Sequence, residues 1–486
     1  MAYIYGNRYQ TELFPQSIEE YVAQDDPVRA YDTFVQSLEL KDVGIDYVEV
    51  RVGNLEYNPK AMLKLLVYGY SYGIRSSRKL ERACYHNVSF MWLMEGLKPD
   101  HKTIANFRKN NKKALKNVFK QCARLCLKLG LIEGNTLFVD GSKIRANASI
   151  NNNWTKEKCD QYLADIDKRI ESILAECDAT DDKEKNNDSL VKLKEELKDK
   201  ETLKAKVKSI MEELKKENTV SINGTDSECV KVKGRQGSHA GYNGQIVVDE
   251  QHGLIVHTDV VNENNDIHQF ASQIEQANEA LPKPCENACG DAGYSCSSEL
   301  KKIDEQGIAV IVPSQKQASH NKDKESDAYS KEQFKYDAQK DCYICPMGQE
   351  IPYSHFSTKK QSKLYRFKNG SICLSCKSYG ICTKSKRGRA IIRIAEEETK
   401  LKLEQLYKTR HGQEIYKLRK QKVELPFGHI KRNLGVSAFL LRGLDGAKAE
   451  MALFSSCFNI ARLITILGVP LLISKLTIGC MENSPV

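Results

Sequence analysis

Short apolar runs that end in an acid and a glycine, set between much longer charged stretches, constrain this chain more than any other feature. Thr136-Leu-Phe-Val-Asp140-Gly141 is too short for a buried helix and reads as a buried strand whose last residue emerges. Gln245–Asp249 and Leu254–Val261 flank the turn Glu250–Gly253, which makes a hairpin. Asp266–Leu281 places Phe270, Ile274, Ala277 and Leu281 at helical spacing. Ala288-Cys-Gly-Asp291-Ala-Gly-Tyr294 ends a further strand in an acid and a glycine. A helix over Ser297–Gln306 and a buried strand at Ile308–Pro313 follow. Strand, hairpin, helix, strand, helix, strand is the order of an α/β, ribonuclease-H-like core.

Everything else is inserted into that series or flanks it. The 486 residues leave room for about three domains. Before the core, Ser17 to about Gly130 is helical, with Asn58-Pro59 and Pro99-Asp100 as helix starts and one long helix expected from His101 through Leu125. Within the core, Leu163, Ile166, Ile170, Ile173 and Cys177, then Leu190, Leu193, Leu197, Leu203, Val207, Ile210 and Leu214, keep near-heptad spacing on either side of the polar turn Asp178–Asp188. This predicts an antiparallel helical hairpin. Ser314 to Arg393 is a polar, Cys-bearing insertion. The predicted boundaries are 1–130 (helical, DNA-binding), 131–153 (first core strand), 154–218 (hairpin insertion), 219–313 (core), 314–393 (basic Cys-rich insertion) and 394–486 (core helices).

Composition narrows the class. A hydrophobic share of 41% with 28% charged residues excludes a wholly disordered chain, a collagen-like fibre and a multi-span membrane protein. The apolar Glu450–Leu467 segment contains Asn459 and Arg462 and is read as a core helix. No secretory signal is visible at Met1–Gly6, so a cytoplasmic, reducing location is expected for the 16 Cys. The net charge of +10 is modest, but it is concentrated. Residues 101–130 hold Lys102, Arg108, Lys109, Lys112 and Lys113 among their cations and no acid. Residues 355–393 hold eleven Lys and Arg, Lys386, Arg387 and Arg389 included, and again no acid. Such runs suit a phosphate backbone.

The chemistry rests on acids. Asp140 and Asp291 each close a core strand, and three carboxylates drawn from distant sequence positions can hold two Mg²⁺ or Mn²⁺ for in-line phosphoryl displacement. The third lies on a late helix. Tyr416, Lys420, Glu424 and Lys431 step by 4, 4 and 7 and share a face if that helix is unbroken, with Pro426 its one irregularity. Glu404 and Glu414 are the rival acids. A separate signal is the pair Cys342-Tyr-Ile-Cys345 and Cys373-Leu-Ser-Cys376, with Cys382 as an alternative ligand, whose spacing suits a structural, zinc-ribbon-like Zn²⁺.

Phe138–Asn147, Gly241-Tyr-Asn-Gly-Gln245, Gly290-Asp-Ala-Gly-Tyr294 and Val423–Lys431, with Tyr57-Asn-Pro-Lys60 and Thr103–Arg108, resemble the DDE transposases of bacterial insertion sequences, IS1182 group. The resemblance spans nearly the whole chain. It implies Asp140, Asp291 and Glu424 as the catalytic triad, with Tyr416 and Lys431 steadying phosphates. It also implies a cation four residues before the Glu, where Lys420 stands; Arg419 is one residue further away. The expected activity is Mg²⁺-dependent cleavage and strand transfer at element ends by a homodimer on double-stranded DNA. The alternatives are a nuclease on the same core and an inactive zinc-stabilised DNA-binding protein.

Overall fold

The computed structural model describes residues 17–45, 56–181, 187–216, 221–234, 237–319, 329–358 and 362–481. Lys359 and Lys360, part of the second basic run, the Met1–Gly6 terminus and residues 182–186 of the hairpin turn lie outside these. The chain forms two compact units: Met1–Asn265 with Gln276–Lys283 and Gln421–Val486, and Asp266–Glu275 with Pro284–Lys420.

The first unit begins helical for local reasons. The Asn58 carboxamide accepts the Lys60 N–H at 2.8 Å and Pro59 fills the first turn, so a helix runs Pro59–Ser71 and buries Met62 through Tyr70. Asp100 accepts the N–H groups of Lys102 and Thr103 at 2.7 and 2.8 Å and starts His101–Asn110. The single long helix expected here is two. Asn111, at φ −105° and ψ 35°, leaves helical geometry, and Lys112–Lys128 starts afresh.

Four core strands follow in this unit: β1 (Thr136–Arg145), β2 (Val230–Gly234), β3 (Gly237–Asp249) and β4 (Ile255–Val261). β3 is long enough to pair antiparallel with β1 along one edge and with β2 and then β4 along the other. That length corrects one expectation. Asp140 does not end its strand; it sits mid-strand opposite Ile246, because β3 goes on pairing as far as Arg145–Gly241. Burial changes at that point all the same. Leu137, Phe138 and Val139 are buried, and Asp140 to Lys143 are half-exposed.

Helices Lys156–Asp181 and Asn187–Lys216 pack on each other, burying Ile166, Val207, Ile210 and Leu214 with Trp154 and Ile222 at the base. Among the described residues only Leu444–Leu467 is long and apolar enough to cross a membrane. Its polar residues are used inside the protein instead. Asn459 accepts the Ile255 N–H and donates to the Ile255 carbonyl, both at 2.9 Å, pinning the start of β4.

In the second unit β5 (Asn287–Cys289) and β6 (Ala309–Ile311) are parallel, joined through helix Ser297–Asp304. Next comes an antiparallel sheet, β7 (Lys335–Asp337), β8 (Cys342–Ile344), β9 (Glu350–Ser357), β10 (Ser362–Arg366) and β11 (Ala390–Ile394), hydrogen-bonded in that order. Its core is small: Phe334, Tyr343, Ile351, Tyr365, Phe367 and Ile391. Helix Arg410–Gly428 carries Tyr416, Arg419 and Lys420, which belong to the second unit, and Glu424, which belongs to the first.

Candidate active site

In the first unit the alternation of β1 places Ser142 on the face that Asp140 uses, two residues along. The Lys431 ammonium donates to the Ser142 hydroxyl at 2.5 Å, which brings that cation to the Asp140 face. Lys431 gets there by an unusual backbone. Pro426 lacks an N–H and stands inside the last turn of Arg410–Gly428. The chain then widens into a π-helical turn, His429–Asn433, in which the Leu434 N–H bonds to the His429 carbonyl. Glu424 and Lys431 are therefore not on one unbroken helix. Glu424 is exposed, between buried Val423 and Pro426. Sequence reasoning missed Ser142, although its place two residues after Asp140 in a strand was the available signal.

In the second unit Asp291 caps the 3₁₀ turn Ala292–Tyr294, its Oδ1 accepting the Gly293 N–H at 2.8 Å. Oδ2 lies 3.8 Å from Nη2 of Arg419, a side chain only 12% exposed. Arg419 reaches the acid, whereas Lys420, one residue on and about 100° round the helix, is exposed. Tyr416 is three residues before Arg419 and shares its face. Burial pushes the Tyr416 phenol up, and the Arg419 charge partly offsets that. The neighbouring Cys289 thiol is pushed up to about 12 by burial, so it stays protonated and is no nucleophile.

The basic candidates divide. Lys102, Lys109 and Lys113 are exposed, as are Lys386 and Arg387. Arg108 is not a phosphate ligand: it is 7% exposed and donates to the Tyr70 hydroxyl at 3.0 Å and the Arg75 carbonyl at 2.8 Å. Arg389 is likewise turned inward, onto the carbonyls of Cys382 and Tyr329 and over the Phe334 ring. Lys112 lies 3.7 Å from Asp445, and Lys363 and Arg393 meet Asp341 and Glu398. The runs lack acids in sequence but meet them in space.

The cysteines are also regrouped. Cys345, Cys373, Cys376 and Cys382 line one cavity in the second unit. Cys342 is not among them. It is buried on strand β8, whereas Cys345, just past the end of that strand, packs against the core that holds Tyr343. Among the described residues no three Cys, His, Asp or Glu side chains already stand as a metal site. Donor chemistry would differ in kind, since carboxylate oxygens suit Mg²⁺ or Mn²⁺ and thiols suit a softer ion.

Residues 16–110 match the family described as transposase domain (DUF772), and residues 344–464 match the transposase DDE domain. The chain pairs the two domains of an insertion-sequence DDE transposase. This pairing is typical of the IS1182 group. The transposase DDE match takes in Arg419, Glu424, Lys431 and the four clustered cysteines, and begins after Asp140 and Asp291. No curated protein matches the chain. A cryo-EM structure of the piggyBac transposase synaptic complex with hairpin DNA is similar at 10% identity and a TM-score of 0.34, covering 95% of this chain and 83% of that one. A likeness that slight carries no weight here.

Proposed function

We propose that this transposase binds the ends of its element and carries out Mg²⁺-dependent DNA cleavage and strand transfer, with Asp140, Asp291 and Glu424 as its metal-holding carboxylates on a ribonuclease-H-like core. The observation that carries the reading is the Lys431–Ser142 hydrogen bond, which sets the cation beyond Glu424 on the Asp140 face of β1. Bound Mg²⁺ ions supply activation of the attacking oxygen and stabilisation of the leaving oxygen. The protein's own groups do the rest. The Gly293 amide fixes one oxygen of Asp291 and so aims the carboxylate. Arg419 offsets the negative charge gathered there. Lys431, released from Ser142, meets a non-bridging phosphate oxygen, and Tyr416 steadies a terminal phosphate. Lys102, Lys109, Lys113, Lys386 and Arg387 contact backbone phosphates away from the reacting bond. Strand transfer needs two ends held together, so the DNA-bound form is a homodimer.

Asp291→Asn tests this. It keeps the Gly293 hydrogen bond but removes the charge, so end-DNA binding should persist while Mg²⁺-dependent cleavage and joining to a plasmid target are lost. Undiminished cleavage would refute the assignment. Cleavage without joining in the unaltered protein would make it a nuclease.

A further inference from the structure

We propose that the β7–β11 domain carries a structural zinc site built from Cys345, Cys373, Cys376 and Cys382, from which Cys342 is excluded. The inference is independent of the transposase reading. Four free thiols line one cavity: Cys373 sits in the short helix Ser371–Leu374, and Cys345, Cys376 and Cys382 lie outside helices and strands. Two glycine turns against these sulfurs are built alike. In Cys345-Pro-Met-Gly348-Gln349, Gly348 takes φ +78° and the Gln349 N–H points at the Cys345 sulfur, 3.3 Å away. In Ser385-Lys-Arg-Gly388-Arg389, Gly388 takes φ +81° and the Arg389 N–H points at the Cys373 sulfur, 3.4 Å away.

Gly388 is needed there twice over. Positive φ disfavours any other residue, and an added Cβ would come 3.0 Å from that same sulfur. Backbone N–H groups aimed at sulfur stabilise thiolate rather than thiol, as the shell around a thiolate–metal site requires. Cys376 is tied back to Cys373 by its N–H on the Cys373 carbonyl at 3.2 Å. Cys382 is held from behind by Arg389, whose guanidinium binds the Cys382 carbonyl at 3.0 Å.

The domain has reason to need a staple. Five strands, two of them only three residues long, share a core of six buried side chains. So small an apolar interior is commonly reinforced by metal. Four thiolates with no open position select tetrahedral Zn²⁺. Among the described residues the sulfurs do not stand as a formed site, so zinc binding would have to bring them together.

The test is zinc content of the full chain, grown with zinc and dialysed, read by elemental mass spectrometry and by thiol-triggered release to a colorimetric chelator. One zinc per chain is expected, retained in Cys342→Ser and lost in Cys382→Ser. Cys382→His, which keeps a ligand, should restore zinc, separating ligand loss from misfolding. Cobalt loaded in its place should give the visible absorption of a tetrahedral thiolate site. Loss of zinc in Cys342→Ser with retention in Cys382→Ser would overturn the ligand set. A zinc-free protein whose four thiols titrate freely or form disulfides would overturn the site.

Discussion

Tyr70→Phe isolates the joint between the two matched transposase segments. Tyr70 and Arg108 belong to the N-terminal match and Glu450 to the DDE match, and all three are buried in the first unit. The Tyr70 hydroxyl donates to Glu450 at 2.9 Å and accepts from Arg108 at 3.0 Å. Glu450 in turn accepts the N–H groups of Leu440 and Leu441 at 2.6 and 3.0 Å. Phenylalanine keeps the ring contact with Phe454, 5.7 Å between centroids, and removes only the hydroxyl. Glu450 and Arg108 each then lose one buried partner while keeping another. An unsatisfied buried polar group costs about 1–3 kcal/mol, and with partial satisfaction left on both sides the total should be about 2–4 kcal/mol.

Urea unfolding followed by tryptophan fluorescence suits the measurement, because both tryptophans, Trp92 and Trp154, lie in the first unit. With an m-value of about 3 kcal/mol/M, the midpoint should fall by about 1 M at unchanged slope. Tyr21→Phe, at a side chain 56% exposed, is the control and should stay within about 0.5 kcal/mol. A Tyr70→Phe midpoint no lower than the control's would mean that the buried network does not hold the segments together.

Three further outcomes are expected. Lys431→Ala should lower strand cleavage by about 10²–10³-fold with end-DNA affinity nearly unchanged, and Ser142→Ala by about tenfold at most; single-turnover cleavage of labelled end DNA reads both, and equal losses would contradict a role for the ammonium itself. Lys102→Ala, Lys109→Ala and Lys113→Ala should each reduce the slope of log affinity against log salt by about 1, and an unchanged slope would remove that residue from the DNA contact. Burial, reinforced by Lys448 and Lys120 and opposed by Asp259, holds His257 down to about 4. The unfolded chain takes up a proton below about pH 6.5 that the folded chain refuses. Stability should therefore drop as pH falls from about 6.5 towards 4, by at most about 1.4 kcal/mol per pH unit. His257→Gln should flatten that dependence, and the same slope in the variant would place its origin elsewhere.

What the sequence disclosed, and what it hid, follows one physical division. Period-two and period-3.6 patterns record which side of an element is dry. The apolar run into Asp140, the hairpin after it and the paired helices on either side of residues 182–186 were therefore readable at once. Direction is another matter. Whether Arg419 or Lys420 meets Asp291 turns on a rotation of about 100° that tertiary packing sets, so counting back from Glu424 left both residues open.

Arg108 and Arg389 show the same limit for charge. A cation in an acid-free run reads as a phosphate ligand, yet each of these guanidiniums is spent on buried carbonyls or hydroxyls. Cys342 adds the converse lesson, since C-x-x-C spacing implies a shared ligand only when a turn lies between the cysteines. Cys342 stands in strand β8 and Cys345 beyond its end, whereas the turns at Gly348 and Gly388 aim backbone N–H groups at Cys345 and Cys373, residues that no short motif links. Spacing in a motif thus constrains chemistry only after the backbone between its residues is known.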